Sequence, residues 1–221
     1  MSKNIISTKS KRSGHSIFTL VQKGADLYVA CTRDRAELEP QGLAWSEVLR
    51  MYTLSKECFS LHGDYQNLLA DCRRQTARIP SIANRLLKLR SGITRELHRA
   101  DRMHPGCTGL PVFRNKPSRN ELVQNLYDLH YLICKNQKTL SEAGFDTSLG
   151  KEAQKSSGEL FELLGDVANM RADARIMRAK RDEKLWELYT LIKDICSLGR
   201  QVFSNDRRAV NYRFSRPNSR R

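Results

Sequence analysis

The chain repeats itself, and this limits what it can fold into more than any other feature. Displaced by 102 residues, positions 16–97 fall on 118–199 without a gap, and roughly a quarter of the aligned positions are identical. The pairs include Ser16/Ser118, Leu20/Leu122, Asp26/Asp128, Leu27/Leu129, Leu38/Leu140 and Gly42/Gly144. Further along they include Phe59/Phe161, Gly63/Gly165, Asp64/Asp166, Asp71/Asp173, Arg73/Arg175, Leu86/Leu188 and Ile93/Ile195. A fixed internal period points to one supersecondary unit used twice.

Each copy opens with a helix start. Ser16 and Ser118 are N-cap residues, and Glu121 three places after Ser118 makes a capping box. Apolar residues follow at helical spacing, Leu20, Leu27, Ala30 and Cys31 in the first copy and Leu122, Leu126, Leu129 and Ile133 in the second. Both short helices stop near Gly42 and Gly144, since glycine adopts the left-handed backbone at little steric cost.

A much longer helical segment comes next. In the first copy a stripe with alternating steps of three and four runs Met51, Leu54, Cys58, Leu61, Tyr65, Leu68, Cys72, Gln75, Ile79, Ile82, Leu86, Leu89, Ile93. In the second it runs from Leu160, Leu163 and Val167 to Leu188, Leu191 and Ile195, and turns polar at Arg181 and Lys184. Pro80, and Asp182 at the matching place, predict a kink or, as the alternative, a tight turn. The unbroken phase favours long helices. Gly63 and Gly165 predict a close helix approach or a local break, or are an inheritance without a role.

The expected fold is therefore all-α: an elongated antiparallel helical bundle made by internal duplication of a short-helix/long-helix unit. The organisation is a basic arm at 1–15, a first repeat at 16–103, a linker rich in Pro and Gly at 104–117, a second repeat at 118–204 packing on the first as one domain, and a basic tail at 205–221. Both arms are expected to be disordered.

Charge bears on function. The net +15 is spread unevenly, with +4 in residues 1–15 and +5 in 205–221. Arg171, Arg175, Arg178, Lys180, Arg181 and Lys184 form a dense basic run, and the tail interleaves Arg207, Arg208, Arg213 and Arg216 with Tyr212 and Phe214. Such a mixture can neutralise phosphates and stack on unpaired bases.

Chemistry is otherwise hard to find. The nucleophile elbow, the zinc-protease motif, the phosphate loop and the dinucleotide glycine pattern are all missing. Glu96, His98, Asp101 and His104 share a helix end but form a poor ligand set, and the duplicated Asp64/Asp166 and Asp71/Asp173 lack the Glu-x-x-His partners of a di-metal bundle. They fit charge-pairing or capping roles instead. The six cysteines suit packing positions, which implies a reducing, cytoplasmic setting. No segment reaches the ~18 apolar residues of a spanning helix, and the polar Met1–Gly14 stretch does not resemble a secretory signal.

The stretch from Leu27 to Gly42, with Cys31 and Leu38-x-x-x-Gly42, and the stretch from Leu185 to Gly199 followed by Val202-Phe203, resemble a family of all-helical bacterial proteins of about this size without assigned activity. The resemblance implies the helical fold and a bacterial source, and carries over no site residues. The leading expectation is a non-catalytic cytoplasmic binding or scaffold protein, with a protein partner or self-association and with no cofactor, metal or membrane. The alternative is a sequence-tolerant nucleic-acid-binding protein that uses the basic arms and the Arg171–Lys184 run.

Overall fold

The computed structural model describes residues 15–105, 109 and 112–214. The described chain is all-α, with no strand. It consists of α1 (Ile17–Arg33), α2 (Arg35–Leu38), a 3₁₀ turn (Glu39–Gln41), α3 (Trp45–Met103), α4 (Arg119–Lys135), α5 (Gln137–Glu142), α6 (Ser148–Val202) and a second 3₁₀ turn (Arg207–Tyr212). Among the described residues, no helix is long and apolar enough to cross a membrane.

Local chemistry explains where the helices begin and stop. The Ser16 hydroxyl accepts from the Thr19 amide at 3.1 Å. Ser118 accepts from the Glu121 amide at 3.2 Å, and the Glu121 carboxylate accepts from the Ser118 amide at 2.6 Å, closing the box. Each cap satisfies an amide that has no partner within its helix. Gly42 and Gly144 both have positive φ, 98° and 74°, where any side chain would strain the backbone. α3 is one helix of 59 residues with Pro80 inside it, and α6 one of 55 residues through Asp182. Both long helices are therefore continuous, as the unbroken phase favoured, and the alternative of a tight turn does not occur at either place. Pro80 withholds one backbone donor, but Ile79 and Leu86 on either side of it are fully packed, and tertiary burial outweighs the local penalty.

The chain divides into two compact units, Met1–Leu69 with Ala172–Arg221, and Ala70–Arg171. The two divisions, 69/70 and 171/172, stand one repeat length apart. α3 and α6 each give residues to both units.

In the first unit the core joins Leu20, Leu27 and Cys31 of α1, Met51, Leu54 and Cys58 of α3, and Leu188, Ile192 and Ile195 of α6. Gly24 permits the close approach of α1, because a Cβ there would collide with the buried Ser55 hydroxyl. Asp34 is 1% exposed. It accepts from Arg33 Nε and Nη2 at 2.8 Å each and from the Tyr212 hydroxyl at 2.8 Å. The Arg33 hydrogen bonds, and then Tyr212 and the nearby Arg208 charge, hold its carboxyl below the usual range against the cost of burial. The final 3₁₀ turn is fastened to α1 by Lys23 Nζ donating to the Asn211 carbonyl at 2.8 Å. Gly199 leaves room for the Tyr212 ring, which would overlap any Cβ at that position.

In the second unit the core joins Leu122, Leu126, Leu129 and Ile133 of α4, Ile79, Leu86 and Ile93 of α3, and Leu160, Leu163 and Val167 of α6. Here the close approach uses Gly150, whose absent Cβ would lie 3.0 Å from Ile133 Cγ2. Gly63 and Gly165 have open space around them inside continuous helices, so the expected close contact or break does not occur at either.

Candidate anion-binding groove

The basic residues singled out in the sequence separate into free and committed groups. Arg171, Arg175 and Lys180 are exposed and make no ion pair or side-chain hydrogen bond among the described residues. Arg178 lies 3.9 Å from Asp182. Arg181 donates to Asp182 at 3.0 and 2.6 Å and its guanidinium sits 4.7 Å from the Tyr65 ring centre. Lys184 donates to Glu57 at 2.9 Å, which raises its pKa. The polar middle of the second stripe is thus neutralised inside the first unit.

The tail is also more committed than expected. Within the span 205–221, expected to be a disordered tail, Arg207–Tyr212 form a 3₁₀ turn. Tyr212 is fully buried, so it is not offered to a base, and burial with the Asp34 hydrogen bond raises its pKa. Phe214 packs on the core edge and stacks on His15 with ring centres 4.6 Å apart. Arg208 donates to Glu37 and Asp206 at 2.9 Å each and covers the Phe203 ring. Arg207 and Arg213 are exposed, and Arg216 lies outside the described residues.

The strongest basic site lies elsewhere, in the second unit, on a face of α3 that the sequence reading passed over. Lys88, Arg95 and Arg102 recur every seven residues, so they point the same way two turns apart, about 10 Å per step. Arg90, Ser91, Thr94, Arg95, His98 and Arg102 form one wall of a cavity of about 520 Å³, and Val112, Phe113 and Asn115 form the other. A second hollow of about 320 Å³ shares Ser91 and Arg95 and continues to Gly92 and Lys88. No aspartate or glutamate lines either space.

Arg90 anchors this groove. It is 7% exposed, donates to the Arg114 carbonyl at 3.0 Å, and sits 5.7 Å from the centre of the Phe113 ring. With the Asn125 amide turned so that its oxygen faces Arg90, a second neutral acceptor stands at 3.3 Å. Among the described residues no carboxylate lies within ion-pair distance of it. A nearly buried guanidinium held by neutral acceptors has no counter-charge beside it, and low-dielectric walls focus its field into the groove. One signal could have found the site: the residue 102 places after Arg90 is Ile192, which is fully buried in the first unit's core.

The buried thiols among the described residues are held in packing roles. Burial pushes the Cys31 thiol up to about 12 and those of Cys58 and Cys196 up to about 11, which keeps them protonated. On α4, Cys134 Sγ is 3.6 Å from His130 Nδ1, and that nitrogen is 3.0 Å from the Gly150 carbonyl, which fixes the ring as a packing contact with α6. Among the described residues, Glu96, His98, Asp101 and His104 included, no group of three His, Cys, Asp or Glu side chains could hold a metal ion. Comparison with protein-family models, with curated proteins and with solved structures finds no match for this chain.

Proposed function

We propose that this chain is a non-catalytic, sequence-tolerant nucleic-acid-binding protein whose principal contact is the basic groove on α3. The observation that carries the proposal is a groove with Arg90, Arg95, Arg102 and Lys88 along it, beside His98, and no carboxylate among its lining residues. Cations in steps of about 10 Å suit an extended chain of phosphates better than a compact anion, which one step would already outreach. The exposed Arg171, Arg175 and Lys180 add charge on α6.

Binding should be read by fluorescence polarisation with generic oligonucleotides at about 50 and 200 mM salt. Affinity is expected to fall by orders of magnitude across that range, as counterion release requires. Arg95→Glu with Arg102→Glu should weaken binding about a hundredfold at the lower salt. No binding at about 50 mM salt would remove this function.

One observation favours a second function, a helical scaffold for a protein partner. Phe18 and Phe59 in the first unit are 61% and 55% exposed and meet edge to face at 6.4 Å, an arrangement more typical of an interaction surface than of a solvated one.

The wider architecture we propose is an antiparallel bundle of duplicated origin. In the first unit the contacts Arg50–Glu187, Glu57–Lys184 and Tyr65–Arg181 ascend on α3 as they descend on α6. α1 and α4 are each 17 residues long and begin one repeat apart, and Gln22–Asp26 and Gln124–Asp128 are matching hydrogen bonds of 2.8 Å. Both features support that origin. The buried free thiols support a reducing compartment such as the cytoplasm.

A further inference from the structure

We infer that the groove on α3 is selective for single-stranded nucleic acid, taking an unpaired base into the cavity beside Phe113 while Arg95 and Arg102 hold the backbone; this rests on the nucleic-acid function proposed above. A flat basic face would bind duplex and single strand through phosphates alone. This face is concave, and its cavity of about 520 Å³ falls in the range that encloses a nucleotide-sized ligand, ~300–1,000 Å³. A duplex keeps its bases stacked inside and its phosphates outside, so it cannot fill that space. A single strand can turn a base inward.

The lining suits a base more than a bare phosphate. Phe113 is half-buried and lines the cavity, with the fixed Arg90 guanidinium 5.7 Å from its ring centre. An aromatic ring held by a cation offers any base a stacking surface, which makes the contact tolerant of sequence. Ser91, Thr94 and Asn115 supply neutral donors and acceptors beside it. The charges needed for the backbone, Arg95 and Arg102, stand on the α3 wall that faces Phe113, and no carboxylate lines the cavity.

The test is a polarisation titration of the full chain with a mixed-sequence single strand of about 12 nucleotides and with the matching duplex. Wild type, Phe113→Ala, Phe113→Trp and Arg95→Glu/Arg102→Glu would be compared, each checked by circular dichroism. The single strand should bind at least about tenfold tighter than the duplex. Phe113→Ala should cost the single strand about tenfold and leave the duplex within about twofold, and Phe113→Trp should restore the difference. Equal affinity for the two forms, or loss that is the same for both in Phe113→Ala, would overturn the selectivity and leave the nucleic-acid function standing. Failure of wild type to bind either form would overturn both. Displacement of the strand by an equal concentration of mononucleotide would also overturn the inference, since the cavity would then be a free-nucleotide site.

Discussion

The two units begin alike and end differently. In each, a serine cap starts a 17-residue helix, a glycine with positive φ closes the turn that follows, and leucines at matching positions fill the core. They part company at the far end of the long helices. In the first unit Ile192 and Cys196 are buried, and Tyr212 folds back over Gly199 to seal the end. In the second, the matching places hold Arg90 and Thr94, and the end is an open groove. The same helical frame thus supports a closed apolar end and an open charged one. The difference rests on a few residues, because a helix presents whatever side chain the sequence puts on its exposed stripe.

The comparison can be broken most sharply at the closed end. Gly199→Ala would drive a methyl into the Tyr212 ring, which cannot swing aside while its hydroxyl is bound to Asp34. Urea denaturation should show a loss of about 3 kcal/mol. Removing the buried charge tests the same end by pH. Asp34→Asn should cost about 2 kcal/mol at neutral pH, since it leaves the Arg33 and Tyr212 donors without their ionised acceptor. The folded carboxyl titrates below its unfolded value of about 4, so its contribution is complete above that pH and is lost as pH falls through the lower, folded value. Melts of wild type and Asp34→Asn should differ by a constant amount from neutrality down to about pH 5 and converge below about pH 4; a gap that persists in acid would mean that packing, not charge, is at stake.

The open end can be made to resemble the closed one. Arg90→Ile should leave stability unchanged or raise it by about 1 kcal/mol, because a well-packed apolar side chain often replaces a buried charge without loss. It should also weaken single-strand binding about tenfold. Retained affinity in that variant would show that the buried guanidinium supports the loop alone. The smallest effect belongs to positions where the two units do not differ. Gly63→Ala and Gly165→Ala should each stabilise the chain by up to about 1 kcal/mol in thermal melts, since both sites are helical and have open space.

Periodicity made most of the fold legible. Leu54, Cys58, Ile79, Leu86 and Ile93 are buried where the three-and-four spacing put them, and Ser118 caps as its sequence neighbours required. Those features are local or repeat at fixed steps, so one dimension of information suffices. The candidate site was less legible for the opposite reason. Arg181 and Lys184 belong to a conspicuous basic run, but Asp182 and Glu57 neutralise them, and Glu57 is remote in sequence. Tyr212 resembles a tail aromatic until its hydroxyl finds Asp34 across 178 positions. The groove arginines, in turn, are diluted by ordinary helix residues, and their shared face emerges only when 112–115 supplies a second wall.

The way the chain is divided between the units has a temporal side. The second unit is one continuous stretch, whereas the first needs Leu20 and Leu27 to meet Leu188, Ile192 and Tyr212. During synthesis the second unit has every core residue once Arg171 has emerged, and it closes mostly short loops. The first must keep α1 waiting with its apolar stripe uncovered while more than a hundred residues are added, and contacts of such separation form late and slowly. Growth from one end therefore favours the groove-bearing unit as the earlier to fold, with the sealed end completed last.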